Sequence, residues 1–479
     1  RAIISAANSS LSGDVTVRGG STLELRNSDA LGSGAGNVTV AAGGSLELRD
    51  GITIANKALT ATGTSSTASP TNVISSLTSV AGVNEWAGTI TANTNNNVRF
   101  TSNAGATLRL SGQVSLSGSG SMVLTGSGTG VISGNITGDV AGVGSVNGVY
   151  AIIQNGGSNW TLSGNNTFKD SVRIDNGSVS AASIATNMGD STFAIGLGET
   201  TTAGRFIYTG TGETTARGFV MRSTQASGAG GGIIEQAGAS GLLTINGDIT
   251  STGTSSVKTF TLTGSTEGSG LLAGTITNGA STAVNLVKSG TGAWTLSNVN
   301  TYTGTTTVSG GTLSVTGKIN STTSLSVTNG TVSIGANDAV SDTATVGLGG
   351  NSVLQIAGFT ESLGALTVSG NSIVSLLGDG NRLTLASGNI TGVGSLGITG
   401  WNGSATGGGD ERLVFTSTTS IASQLASVYF INPDGFAEGT YSAKFIGTEL
   451  VPDALIPEPA TLAFLMAGGC GWVIRRRRR

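Results

Sequence analysis

Asp410, Glu411 and Arg412, followed at some distance by Asp434, form the best local cluster around acidic side chains in a chain where Asp and Glu are only 26 of 479 residues and scattered. Two carboxylates flanking a glycosidic bond can act as acid and base. The competing reading is a charged turn and cap surface, and we favour it. Just before this group, Gly407-Gly408-Gly409-Asp410 has the look of a glycine-rich calcium turn, but it stands without tandem copies. The glycine-rich stretch from Ser227 to Gly232 is not followed by the Gly-Lys-Ser/Thr that a phosphate loop needs. Histidine is absent, which excludes Ser-His-Asp and Cys-His catalysis and any histidine-ligated metal. The single cysteine, Cys470, lies in an apolar run and reads as a small apolar residue. One cysteine forms no internal disulfide and no cysteine-based cluster. The expectation is therefore no catalytic residue, no metal and no cofactor.

The elements that would carry these side chains are written in the composition. Gly is 79 of 479 residues, charged residues are 10%, aromatics 5%, and proline occurs five times. Collagen is excluded because glycine has no three-residue period. Disorder is disfavoured by low charge and positive mean hydropathy. Long helices are disfavoured by so much Gly, Ser and Thr. Arg475 to Arg479 supply five of the 23 positive charges, so the rest is mildly acidic and offers no footprint for nucleic acid.

Short alternating bursts recur along the chain, as at Leu23 and Leu25, Leu46 and Leu48, Leu313 and Val315, Leu325 and Val327, Val332 and Ile334, and Leu383 and Leu385. Each predicts a strand with one apolar face, punctuated by turns such as Gly43-Gly44, Gly310-Gly311 and Asn329-Gly330. Strands this short bury a core only by stacking coil on coil. The prediction is an all-β, right-handed parallel β-helix over residues 1–400. With about 22 residues per coil and about 4.8 Å per layer, it has about 18 coils and a length of about 85 Å. A series of β-sandwiches is the alternative architecture. Residues 401–446, richer in aromatics and charge, read as a cap, with a helical turn near Ser423 to Ser427 and a turn at Asn432-Pro433-Asp434-Gly435. Residues 447–456 read as a spacer.

One internal repeat is clear. Residues 159–180 and 293–314 align at a constant offset of 134, with the second copy continuing to 317 and a partial copy at 11–25. Trp160 aligns with Trp294, Leu162 with Leu296, and Phe168 with Tyr302. These six are predicted as stacked repeat core. The unit resembles the autotransporter-associated β-strand, or passenger-associated, repeat: an aromatic-Thr-Leu, then Asn-Thr-aromatic, a Thr-rich strand and Gly-Gly-Thr-Leu. Lys169 and Asp170 stand where that pattern has Thr-Gly, so the turn of the first copy is open to question. The resemblance implies a secreted β-helical stalk of a Gram-negative bacterium.

The C-terminal tail carries a second resemblance. Pro457-Glu458-Pro459 precedes an uncharged run from Ala460 to Ile474 and five arginines, Arg475, Arg476, Arg477, Arg478 and Arg479. Fifteen residues span about 22 Å as a helix, short of a hydrocarbon core of about 30 Å, a deficit that snorkelling arginines reduce. Ala460, Leu462, Phe464, Leu465, Met466, Trp472, Val473 and Ile474 are its predicted membrane-facing residues. The arginines form a cytoplasmic stop and place the preceding chain outside. This tail resembles a PEP-CTERM sorting signal. The resemblance implies recognition and cleavage near Pro457, Glu458 and Pro459 by an exosortase-type membrane protease. It also implies transient passage through the inner membrane, delivery to the cell surface or matrix, and extracellular polysaccharide as a partner. Arg1 is no initiator, and the reading expects either a processed N-terminus or a fragment. The expected function is structural or adhesive, with a glycan-binding adhesin, or a β-helix polysaccharide lyase or hydrolase, as the alternatives.

Overall fold

In the computed structural model, residues 1–64, 74–140, 150–190, 192–199, 201–222, 230–252, 256–265 and 268–457 are described. The alternating bursts form strands that never pair with their sequence neighbours inside the coils. Ile90–Asn93, Val98–Ser102 and Thr107–Leu110 make three sides of one coil. Val114–Gly118, Met122–Gly126 and Thr129–Ile132 make the next. Each strand pairs in parallel with its counterpart one coil on: Ile90 with Val114, Val98 with Met122, Thr107 with Thr129. One side alone runs through an 11-stranded sheet. Parallel pairing continues as far as Leu396 with Val428. Sandwiches built of hairpins would pair antiparallel, so the stacked parallel coils identify a β-solenoid.

Alternate residues turn inward, and this periodicity of two makes the core. Leu108 and Leu110, Ile90 and Ala92, and Phe100 are all buried, and similar rows run along the coils as one continuous cluster. Deleting one such leucine costs about 2–5 kcal/mol.

The coils are not of one length. Asn159 and Ser178, neighbours across adjacent coils, are 19 residues apart, whereas Thr125 and Asn155 are 30 apart. The uniform coil expected from the sequence is replaced by a constant set of strands joined by corners of variable length. A corner projects into solvent and can lengthen at little cost, while a strand is held by its neighbours above and below.

This variability has a consequence for the repeat. The column of Trp160 continues through Val179, Phe206, Ile234 and Leu262 to Lys288. It does not reach Trp294, whose column descends through Gly270 and Leu243 to Glu213. Residues at the 134-residue offset therefore sit on different sides of the solenoid, one side apart.

The C-terminal end closes differently. Arg412–Phe415 and Val428–Ile431 still stack in parallel on the coil beneath. The 3-10 helix Ile421–Ser427 links them and packs on the coil beneath, where Gln424 Oε1 accepts the N–H of Ile390 at 2.7 Å. Thr440–Ile446 then pairs antiparallel with Val428–Ile431, and Glu449–Leu455 pairs antiparallel with both Thr440–Ile446 and Arg412–Phe415. Residues 447–456 are thus no spacer. They form the last strand, because Leu450 and Val451 are buried and Glu449 pairs with Arg412. Trp401, Phe430, Phe436 and Tyr441 pack in edge-to-face and tilted pairs at this closure, with centroids 5.0 to 6.2 Å apart. The antiparallel strands occupy the open edge of the last coil.

Among the described residues no helix is long and apolar enough to cross a membrane. The predicted span Ala460 to Ile474, the arginines after it, Cys470 and residues Glu458 and Pro459 of the sorting motif lie outside the described residues; Pro457 is exposed.

Candidate functional site

The acidic group does not converge. Asp410 is exposed while Glu411 is fully buried. Burial pushes the Glu411 carboxyl up, opposed by the amide groups of Asn381. Arg412 turns to Glu449 instead, with Nη2 2.8 Å and Nε 2.9 Å from Oε2. The same oxygen accepts the N–H of Gly408 at 3.0 Å, so the glycine-rich turn wraps a carboxylate held by arginine. Asp434 accepts the N–H of Gly435 at 3.0 Å within its own turn. Among the described residues no group of three or more Cys, Asp or Glu is placed to hold a metal.

The repeat residues, by contrast, converge on one device. Trp160, Leu162, Phe168, Trp294, Leu296 and Tyr302 are all buried. Trp160 lies directly over Gly130 of the coil before it, and Trp294 over Gly270. A β-carbon on either glycine would lie only 2.1 to 2.5 Å from carbons of the indole ring, far inside van der Waals contact. The glycine therefore makes room for the largest side chain, and the indole fills the gap it leaves. Each indole N–H is satisfied: Trp160 Nε1 donates to Ser158 Oγ and Trp294 Nε1 to the Thr263 carbonyl, both at 3.0 Å.

The Asn of each repeat ties two coils together. Asn166 Oδ1 accepts the N–H of Ile136 at 2.7 Å, and Asn300 Oδ1 accepts that of Ile276 at 2.9 Å. Their amide groups donate to carbonyls of Asn187 and Lys318 respectively, on the other side. Each buried amide thus satisfies a backbone group that a bent corner would leave unpaired.

The aromatic two residues later is packed the same way with different chemistry. Tyr302 bonds through its hydroxyl to Thr306 Oγ1 at 2.6 Å, and burial pushes its phenol up. In the first copy Phe168 and Val172 take these places, removing donor and acceptor together. Removing both partners avoids an unsatisfied buried polar atom. Lys169 reaches Asp139 at 3.5 Å on the surface, while Asp170 turns inward, accepts the N–H of Ser171 at 2.9 Å and faces the charge of buried Arg217. The turn closes without the expected Thr-Gly pair.

The first strand of each repeat ends on a buried polar residue, Gln154 or Lys288. Gln154 Nε2 donates to the Ser158 carbonyl at 2.8 Å. Lys288 Nζ donates to the carbonyls of Ser289, Gly290 and Gly310 at 2.8, 3.1 and 3.1 Å. Burial lowers its ammonium from 10.5 to about 8. A base whose folded value is depressed binds fewer protons in the native state than in the unfolded chain. Stability therefore rises with pH between about 8 and 10.5 and is reduced below that window. Lys288→Gln, which installs the residue of the equivalent position, is expected to reduce this rise to the part that buried Lys258, also lowered by burial, contributes. Urea melts at pH 7.5, 9 and 10.5 measure it, and an unchanged slope in the variant would assign it to another group.

Sequence reasoning reached the aromatic core and missed its partners, Gly130 and Gly270. A usable signal existed: in both places a Thr-Gly-Val-Ile or Ser-Gly-Leu-Leu strand lies one coil before the Trp-Thr-Leu strand.

Comparison with known proteins agrees with this reading of the repeats. A family model described as passenger-associated-transport-repeat matches residues 152–181 and 286–315. These bounds start at the strands that end in Gln154 and Lys288, and both matches run through the Trp, Asn and aromatic positions just described. No curated protein and no solved structure matches the chain. The two repeats mark a passenger-like β-structure of the kind exported to the surface, or beyond it, by Gram-negative bacteria.

Proposed function

We propose that this chain is a non-enzymatic rod of the cell surface or extracellular matrix, delivered by processing of its C-terminal tail. The observation that carries the reading is the union of two passenger-type repeats with one unbroken stack of coils. Such a stack is a spacer by construction, since each coil contacts only its neighbours and length is added coil by coil. The divergence of Asp410 from Glu411 supports a role without catalysis. Pro457-Glu458-Pro459, the uncharged run and the five arginines support recognition and cleavage by exosortase at the inner membrane. Association with extracellular polysaccharide follows from the same resemblance.

The test is mass spectrometry of the mature C-terminus in cells with and without an exosortase. A terminus between Pro457 and Ala460 that depends on the protease is expected. A surface protein that still ends at Arg479 in both strains would overturn the sorting step. Release of reducing ends or unsaturated sugars from polysaccharides by the purified rod would overturn the non-enzymatic reading.

A further inference from the structure

One side of the N-terminal half is built of six short strands: Val15–Val17, Val38–Val40, Leu59–Thr62, Ile90–Asn93, Val114–Gly118 and Ile136–Val140. Their inward residues are apolar. Their central outward residues are Thr16, Thr39, Thr60, Thr91, Ser115 and Thr137, register partners from strand to strand without a break. All six are exposed or half-buried. The result is a straight column of hydroxyls at about 4.8 Å spacing and about 24 Å long.

The column holds although its members are unevenly spaced in sequence. Every change of coil length between Thr16 and Thr137 is absorbed elsewhere, and a hydroxyl returns to the same place each time. Among the described residues no other side keeps six outward hydroxyls in register; Thr295, Ser314 and Ser333 make a run of three. The outward column through Arg109, Val131, Thr161 and Ser180 mixes charge, apolar and hydroxyl groups. Thr favours strands everywhere, so strand preference alone does not explain one uniform column beside mixed ones.

The columns on either side, about 6.6 Å away, are mostly polar. Asp14, Asn37, Ala58, Thr89, Gln113 and Asn135 lie on one flank, and Arg18, Ala41, Thr62, Asn93, Ser117 and Asp139 on the other, so charge sits only at the two ends of the face, and all are at least partly exposed. Only Ser115 and Thr137 of the central column are engaged laterally, with Gln113 and with each other at 3.1 to 3.4 Å. Thr16, Thr39, Thr60 and Thr91 make no side-chain hydrogen bond to a described residue.

A flat, periodic array of groups that both donate and accept suits a partner that is itself periodic and hydroxylated. The central column bears no charge, which disfavours a polyanion. No aromatic ring lies on this face, so it offers no stacking platform for a single sugar. The flanking amides suit sugar hydroxyls, which donate and accept in turn, and they interrupt the uniform hydroxyl surface that a water lattice would meet. We propose that the Thr16–Thr39–Thr60–Thr91–Ser115–Thr137 face binds an extended, uncharged polysaccharide in packed array. This deepens the matrix reading above and rests on it for the polymer class. Single hydroxyl contacts are weak, and six in register act together through effective concentration.

The experiment uses the purified full chain and three insoluble probes: a β-1,4-glucan, chitin and a β-1,3-glucan. Sedimentation with at least one of them is expected. The triple variant Thr39→Val, Thr60→Val, Thr91→Val keeps side-chain shape and strand preference, and should weaken binding at least about tenfold at an unchanged melting temperature. A control triple on the C-terminal half, Thr307→Val, Thr331→Val, Thr367→Val, should bind as the parent does. Failure of the parent to bind all three probes overturns the proposal, as does equal loss in both triples. Incorporation into growing ice without glycan binding also overturns it and assigns the face to a water lattice. A melting-temperature drop in the first triple is resolved by Thr91→Ser alone, which must retain binding if the hydroxyl is what matters. None of these outcomes touches the mass-spectrometric test of the sorted rod.

Discussion

Gly270→Ala loosens the coils around Trp294 and leaves those near the N-terminus protected. The added methyl has nowhere to go. Its position lies 2.3 to 2.5 Å from ring carbons of Trp294, which is itself buried between coils and hydrogen-bonded to Thr263. Relief requires either tilting the ring and losing that bond, or parting strands Ser269–Leu272 and Ala293–Leu296. Overpacking of this kind costs about 1–3 kcal/mol and more where the neighbour is rigid; we expect about 3 kcal/mol. A solenoid does not unfold as one two-state unit, so the loss is read locally. Hydrogen exchange should accelerate by about two orders of magnitude in 269–315 and stay unchanged in 90–132. The double variant Gly270→Ala, Trp294→Leu should recover most of the protection, because the smaller side chain vacates the space. Equal acceleration in the single and double variants would show that glycine serves the backbone rather than the indole. The same cycle at Gly130 and Trp160 repeats the experiment on another side of the rod.

The second large effect is a pH dependence centred on Glu361. This residue is the second of strand Thr360–Val368 and is fully buried. Its carboxylate accepts the N–H groups of Ala339 at 2.7 Å and Val340 at 3.2 Å on the preceding coil. Burial is the larger influence and raises the carboxyl from 4.5 to about 7, with Asp338 and Asp342 adding to the rise. An acid whose folded value is raised holds more protons in the native state than in the unfolded chain. Stability therefore falls as pH rises from about 4.5 to about 7, by about 3 kcal/mol, and is flat beyond. Glu361→Gln removes this residue's share of that slope, because a neutral amide has no proton to lose, and leaves the part that buried Asp175, raised to about 6, contributes. Denaturant unfolding at pH 4.5, 5.5, 6.5 and 7.5, followed by exchange at Ala339 and Val340, measures it. A parent protein with no slope in this window would mean that the two N–H donors outweigh burial.

How much of this was legible beforehand divides by the range of the interaction concerned. Leu313 and Val315, or Leu383 and Leu385, announce strands because alternation is a property of a few neighbouring residues. Trp160 and Trp294 announce core, because a large apolar ring beside a Thr-Leu strand has nowhere better to go. The stretch 447–456, expected as a spacer, instead holds the strand Glu449–Leu455. Its strand exists only through partners contributed by Arg412–Phe415 and Thr440–Ile446. Glu411 and Asp410 looked like a pair in sequence, yet one is buried and the other exposed.

The sequence by itself determined the local grammar of this protein: short strands, tight glycine corners and a repeated Trp-Thr-Leu unit. These follow from steric preference and periodicity of two, which need no distant partner. Tertiary structure alone decided what meets what. Corner lengths are nearly free, so residues 19 or 30 apart can occupy the same position on successive coils, and the equivalents Gln154 and Lys288 end on different sides. The glycine beneath each tryptophan and the hydroxyl column from Thr16 to Thr137 exist only once the coils are stacked. Their spacing is set across the hydrogen bonds between coils, in a direction that sequence distance does not measure.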